Sequence, residues 1–138
     1  MKYMLVMSDV PSDLDYSPEE MQTMFAVMGA YNDQLIEAGV FVAAEGLSPA
    51  AEATLIQYRG EDREVTDGPY AEAKEVFAGY WVLETATQEE AVEWAKKAPL
   101  QTGSIAVRRI PSIDEFDLDL PAIQKEREWR AAQGEKVN

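Results

Sequence analysis

Within nine residues the chain sets an aspartate, a tyrosine, two glutamates and a lysine in the order Asp67-Gly68-Pro69-Tyr70-Ala71-Glu72-Ala73-Lys74-Glu75. Side chains of an extended segment alternate between faces, so Tyr70, Glu72 and Lys74 fall on one side. That side offers an aromatic surface, a carboxylate and an ammonium, a set that can hold a small polar ligand. The same spacing also allows a plain Glu72–Lys74 surface ion pair worth under about 1 kcal/mol. Asp67-Gly68-Pro69 in turn carries the residues of an ordinary turn, in which Asp bonds downstream backbone, Gly admits positive φ and Pro fixes the next φ. Glu45, beside Gly46 at a strand end, is a second acid of interest. Facing Asp67 it would raise one of the two pKa values and create an acid–base pair; left in a loop it is simply solvated. Asp67 and Glu45 are therefore the candidate catalytic residues, and Tyr70, Glu72, Lys74 and Tyr80 the candidate ligand-binding residues.

Chemistry at these positions is narrowed by what the chain lacks. It contains no histidine and no cysteine, which excludes Ser-His-Asp and Cys-His devices, thiolate nucleophiles, disulfides and Cys-ligated metals. Acid–base work falls to carboxylates, Lys or Tyr. Asp13-Leu14-Asp15 and Asp117-Leu118-Asp119 lack the Gly and terminal Glu of a calcium loop, so neither a metal nor another cofactor is expected. Twelve Lys and Arg against 26 Asp and Glu leave a charge of −14, a field that repels phosphate backbones and anionic lipids. Nucleic acid and membrane are expected to be no partners. The opening residues carry too short an apolar run for a signal peptide, and no stretch approaches about 20 apolar residues, so the expected location is the cytoplasm.

The elements that must position these residues follow from periodicity and caps. Lys2 to Ser8 reads as a strand, and Ser17-Pro18-Glu19-Glu20 as a capping box with Pro at the first helical position. Met21, Met24, Phe25, Met28, Tyr31, Leu35 and Ile36 form an apolar stripe over a helix from 18 to 38, stopped by Gly39. Strands are expected at 40–44 and 53–58, with a short return arm at 63–66. Residues 76–83 are apolar on both alternating faces, the pattern of a strand covered on both sides. A second capping box at Thr87 to Glu90 opens a helix ended by Pro99, and 104–110 is the last strand. The order is that of a split βαβ, ferredoxin-like α+β fold with an antiparallel sheet. Because such a fold puts both helices on one sheet face, the other face of 76–83 needs cover, and a second copy is the expected one. Residues 1–111 form this domain; 112–138 add an acidic linker and a C-terminal helix over 121–133, expected to dock on its own domain or on the partner subunit through Phe116 and Trp129.

The segment from Asp67 to Glu75, followed by an apolar strand with Gly79-Tyr80, resembles the signature of the YCII-related or DGPF-domain family, with Tyr70 where Phe is usual. The opening Lys2-Tyr3-Met4-Leu5, the helix start at Ser17 to Glu20, Ala38-Gly39-Val40, Glu45-Gly46-Leu47 and the Trp94-Ala95 helix match as well. The resemblance covers residues 1 to about 110. It implies a dimeric α+β barrel, an architecture that hosts small-molecule enzymes, and in related domains an association with extracytoplasmic-function sigma factors. The YCII branch implies a His–Asp catalytic pair, which a chain without histidine cannot form. The expected function is a small-molecule-binding homodimer, extending to a cofactor-independent enzyme; the alternative is a non-catalytic module that contacts a protein regulator.

Overall fold

The computed structural model describes residues 1–10, 16–67 and 77–134. The elements are β1 (Lys2–Ser8), α1 (Pro18–Glu37), β2 (Phe41–Gly46), β3 (Thr54–Arg59), β4 (Asp62–Asp67), β5 (Phe77–Glu84), α2 (Gln88–Lys96), β6 (Ser104–Ile110) and α3 (Pro121–Ala132), with short 3-10 turns at Ala50–Glu52 and Ile113–Glu115. β2, β5, β1 and β6 form one antiparallel sheet in that order, and β3 pairs with β4 in a separate two-stranded ribbon. This is the ferredoxin-like α+β topology, with the ribbon inserted between the second and third strands of the main sheet.

Both helix starts obey their caps. Ser17 accepts from the Glu20 N–H while Glu20 takes the Ser17 N–H, at 3.2 and 2.9 Å. At α2 the reciprocity is displaced: Thr87 accepts from the Glu90 N–H, but the Glu90 carboxylate takes the N–H of Ala86. Both arrangements satisfy amide donors that the first helical turn leaves unpaired.

Alternation in the strands sends Tyr3, Leu5, Met7, Trp81 and Leu83 to one sheet face, where they meet Tyr31 and Leu35 of α1 and Ala91 of α2. Trp81 lies opposite Leu5 on one side and Ala44 on the other. Its ring meets Tyr31 edge-on at 5.3 Å, and its indole N–H donates to Asn32 at 2.8 Å. Tyr31 in turn donates its hydroxyl to the Trp94 carbonyl of α2 at 2.8 Å, and burial pushes its phenol up to about 12, so it stays neutral. The apolar stripe of α1 is narrower than its sequence suggests: Tyr31 and Leu35 are buried, whereas Phe25 is 65% exposed and Ile36 also faces out. Both lie one residue past a stripe position (Met24, Leu35), and a step of 100° is enough to carry a side chain off a single-sided contact.

Where β2 meets β5, Gly46 lies opposite Gly79, and a Cβ on Gly79 would sit 2.6 Å from the Glu45 carbonyl oxygen. Close approach of the two backbones there requires glycine.

In the single chain the C-terminal extension does not dock through its two aromatics. Phe116 and Trp129 are both exposed, and no residue of α3 is buried. Its ties are polar: Arg109 on β6 forms a two-pronged pair with Glu115, Arg127 on α3 reaches Asp114 at 3.5 Å, and Gln124 donates to the Leu118 carbonyl. Among the described residues of the extension Ile113 alone is buried, within the turn that carries these acids.

Two measurements follow. Gly79→Ala should lower the unfolding free energy by on the order of 2 kcal/mol, whereas Gly29→Ala, inside α1 with open space at its Cβ, should raise it by about 0.5–1 kcal/mol; urea titrations compare the two. The Arg109 guanidinium, with the Ser112 N–H, holds the Glu115 carboxyl down to about 2, against an ordinary value of 4.5. A carboxyl depressed in the folded state contributes stability above its unfolded pKa and loses it as pH falls through its folded pKa. The deficit of Glu115→Gln relative to the parent should thus be constant above about pH 5 and vanish by about pH 2, read from urea midpoints across that range.

Candidate functional site

One end of the main sheet gathers three of the positive-φ residues, Asp9, Gly79 and Gly103. There β1 ends at Ser8 and Asp9, β2 at Glu45 and Gly46, and β5 and β6 begin at Phe77 and Ser104. Ser8 is buried and lies opposite Phe77 across a bulge and opposite Ser104 without one. Asp9 adopts a left-handed backbone, φ 56°, which Asp tolerates better than most residues. Gly103, at φ 87°, packs so closely on this corner that a Cβ would lie 2.6 Å from the Ser8 carbonyl oxygen and 2.9 Å from that of Asp9. The loop from α2 to β6 is therefore locked to the end of β1.

That loop lines one end of an open groove of about 550 Å³ between α2 and β6. Val92 and Ala95 of α2 face Ile105 and Val107 of β6 across its middle. Gln88 stands at the helix start, and Lys96, Gln101, Thr102 and Ser104 stand at the locked end. Spacings of four and three along α2 bring Gln88, Val92, Ala95 and Lys96 to one side, and the period of two brings Ile105 and Val107 to the helix face of the strand. The volume lies in the range of small-ligand pockets.

The residues singled out by sequence are placed as follows. Tyr70, Glu72 and Lys74 lie outside the described residues. Asp67 ends β4, exposed, and accepts from the Thr54 hydroxyl across the ribbon at 3.0 Å. Glu45 and Tyr80 are brought together as direct cross-strand partners. They occupy the sheet face opposite the helices, because Tyr80 alternates with the buried Trp81 and cross-strand partners share a face. Phe77 stacks on Tyr80 with parallel rings 6.5 Å apart. The groove is lined by none of Asp67, Glu45 or Tyr80. Its own residues have the sequence types of core and loop; the signal for them is a polar residue at each end of an Ala/Val helix stripe, next to a Thr-Gly-Ser strand entry.

The model of the YCII-related domain matches residues 1–114. The chain belongs to the YCII-related family. The match takes in all six strands and the first two helices and leaves α3 outside. Among curated proteins the chain is similar to Uncharacterized protein R00369 of Rhizobium meliloti (strain 1021), 30% identical over 96 residues, which is 67% of this chain and 77% of that protein. The YCII-related span thus contains both the groove and the Glu45–Tyr80 pair. Among the described residues no helix is long and apolar enough to cross a membrane.

Proposed function

We propose that this chain is a small-molecule-binding homodimer of the YCII-related type whose ligand lies between α2 and β6. The observation that carries the binding reading is the groove itself. Its middle is apolar, its polar groups stand at the two ends, and the loop at one end is held by the Gly103 contact, so that end is formed before a ligand arrives. Preformed sites lose less freedom on binding.

Self-association is supported by two surfaces that one chain leaves open. The helices cover one sheet face only, while the half-buried Met4, Val6 and Tyr80 point the other way. The β3–β4 ribbon, in which only Leu55 is less than exposed, displays Ile56, Tyr58 and Val65 on one side, with the Arg63 guanidinium 4.4 Å from the Tyr58 ring centre. A lone two-stranded ribbon is marginal in water, and a second copy covers both surfaces at once. In this reading Glu45 and Tyr80 belong to the seam between copies, and Asp67, at the foot of the ribbon, lies beside it.

Analytical ultracentrifugation at micromolar concentration should give a dimer, which Val6→Asp should convert to monomer by burying a carboxylate in the seam; a wholly monomeric parent would overturn the assembly. Native mass spectrometry of protein purified from its own cells should show a small molecule retained by the parent and by Asp67→Ala, and released by Val92→Trp, which fills the trough without touching the seam. Retention by Val92→Trp would remove the groove as the binding site.

A further inference from the structure

We infer that the groove between α2 and β6 takes a small amphipathic monocarboxylate, its apolar body along Val92, Ala95, Ile105 and Val107 and its carboxylate at Lys96. The inference rests on the reading of the groove as a ligand site and adds the chemical class.

Charge decides the class. The chain carries more than two acids for each base, 26 against 12, yet the lining of the groove contains no Asp or Glu and a single cation, Lys96. Its other polar residues, Gln88, Gln101, Thr102 and Ser104, are neutral and can all donate hydrogen bonds. A cationic ligand would find no counter-charge there. A sugar would bury its hydroxyls against four apolar side chains in the trough without partners. A polyphosphate would bring several charges to one ammonium in a molecule of net charge −14. A single carboxylate on an apolar body matches one ammonium, neutral donors beside it and an apolar trough leading away.

Lys96 is available for that role. Its neighbour Lys97 is engaged elsewhere, with its ammonium 4.5 Å from the Trp94 ring centre. Lys96 itself pairs with Glu93 at 2.7 Å, and both side chains are about two-thirds exposed. An exposed pair three residues apart on a helix is weak and exchanges readily, and Glu93 does not line the groove. The ammonium can therefore turn from Glu93 to a ligand carboxylate less exposed to water. Position also favours the cation, since Lys96 ends α2, where the helix dipole is negative.

The test is an NMR titration at pH 7 with three probes that share one chain and differ in head group: octanoate, octanol and octylamine. Octanoate should shift Val92, Ala95, Ile105 and Val107 saturably and bind roughly tenfold tighter than octanol, about the value of one charge-assisted hydrogen bond. Octylamine should bind most weakly. Lys96→Gln should remove the octanoate advantage and leave octanol affinity unchanged, while Glu93→Gln, which frees the ammonium, should tighten octanoate. Equal binding of octanoate and octanol, or an octanoate advantage that survives Lys96→Gln, overturns the carboxylate class and leaves the groove a ligand site. Absence of any saturable shift in the groove with all three probes, together with no molecule retained on purification, overturns both.

Discussion

A relay of polar contacts through an otherwise apolar core, Asn32 to Trp81 and Tyr31 to the Trp94 carbonyl, fixes how the sheet and its two helices sit together. Apolar packing alone is tolerant of small rotations and slides. An indole N–H and a phenol hydroxyl are not, because each loses its partner if an element moves by a fraction of a turn. Trp81 ties β5 to α1, and Tyr31 ties α1 to α2. The position of α2 over β6, and with it the width of the groove, follows from these contacts as much as from the side chains that line it.

The same arrangement uses up the helices on one face of the sheet. Everything on the reverse side must be covered from outside the domain or remain half wet. Glu45 and Tyr80 sit on that reverse side, and Phe77 lies against Tyr80 at the strand entry. Two surfaces of different character thus lie back to back across one layer of strands. One is a narrow trough shaped by a helix and an edge strand; the other is a broad aromatic and aliphatic face.

Much of this was legible in the residues themselves. β1 and β6 have the limits expected of them, because Ser8-Asp9 and Pro111 punctuate sharply, and both helix starts announce themselves through Ser17 and Thr87. Trp81 and Tyr80 fall on opposite faces as alternation requires. What could not be read was which part of a periodic stripe touches a neighbour: Phe25 and Ile36 share the α1 spacing yet stay in water, since one helix buries only the width its sheet allows. The groove was illegible for a related reason. Val92 and Ala95 have the types and spacing of core residues, and only the distance between α2 and the edge strand decides that they line an open trough. The Asp67–Thr54 bond depends on ribbon register, which short exposed strands leave weakly specified. In the C-terminal extension Phe116 and Trp129 suggest an apolar anchor, while the attachment within one chain is made by Arg109, Glu115, Arg127 and Asp114.

That last feature makes the two parts of the chain respond differently to their medium. The screening length falls from about 8 Å at physiological ionic strength to about 3 Å at 1 M, which weakens an exposed ion pair such as Arg109–Glu115 more than Arg127–Asp114, whose carboxylate oxygens are shielded from water. Apolar contacts in the main body are not weakened by the same change, and excluded anions such as sulfate strengthen them. Added salt therefore acts as a selective solvent for the joint. It loosens α3 from a body whose sheet it leaves intact, and Trp129, the lone tryptophan on the extension, is the natural reporter of when that separation occurs.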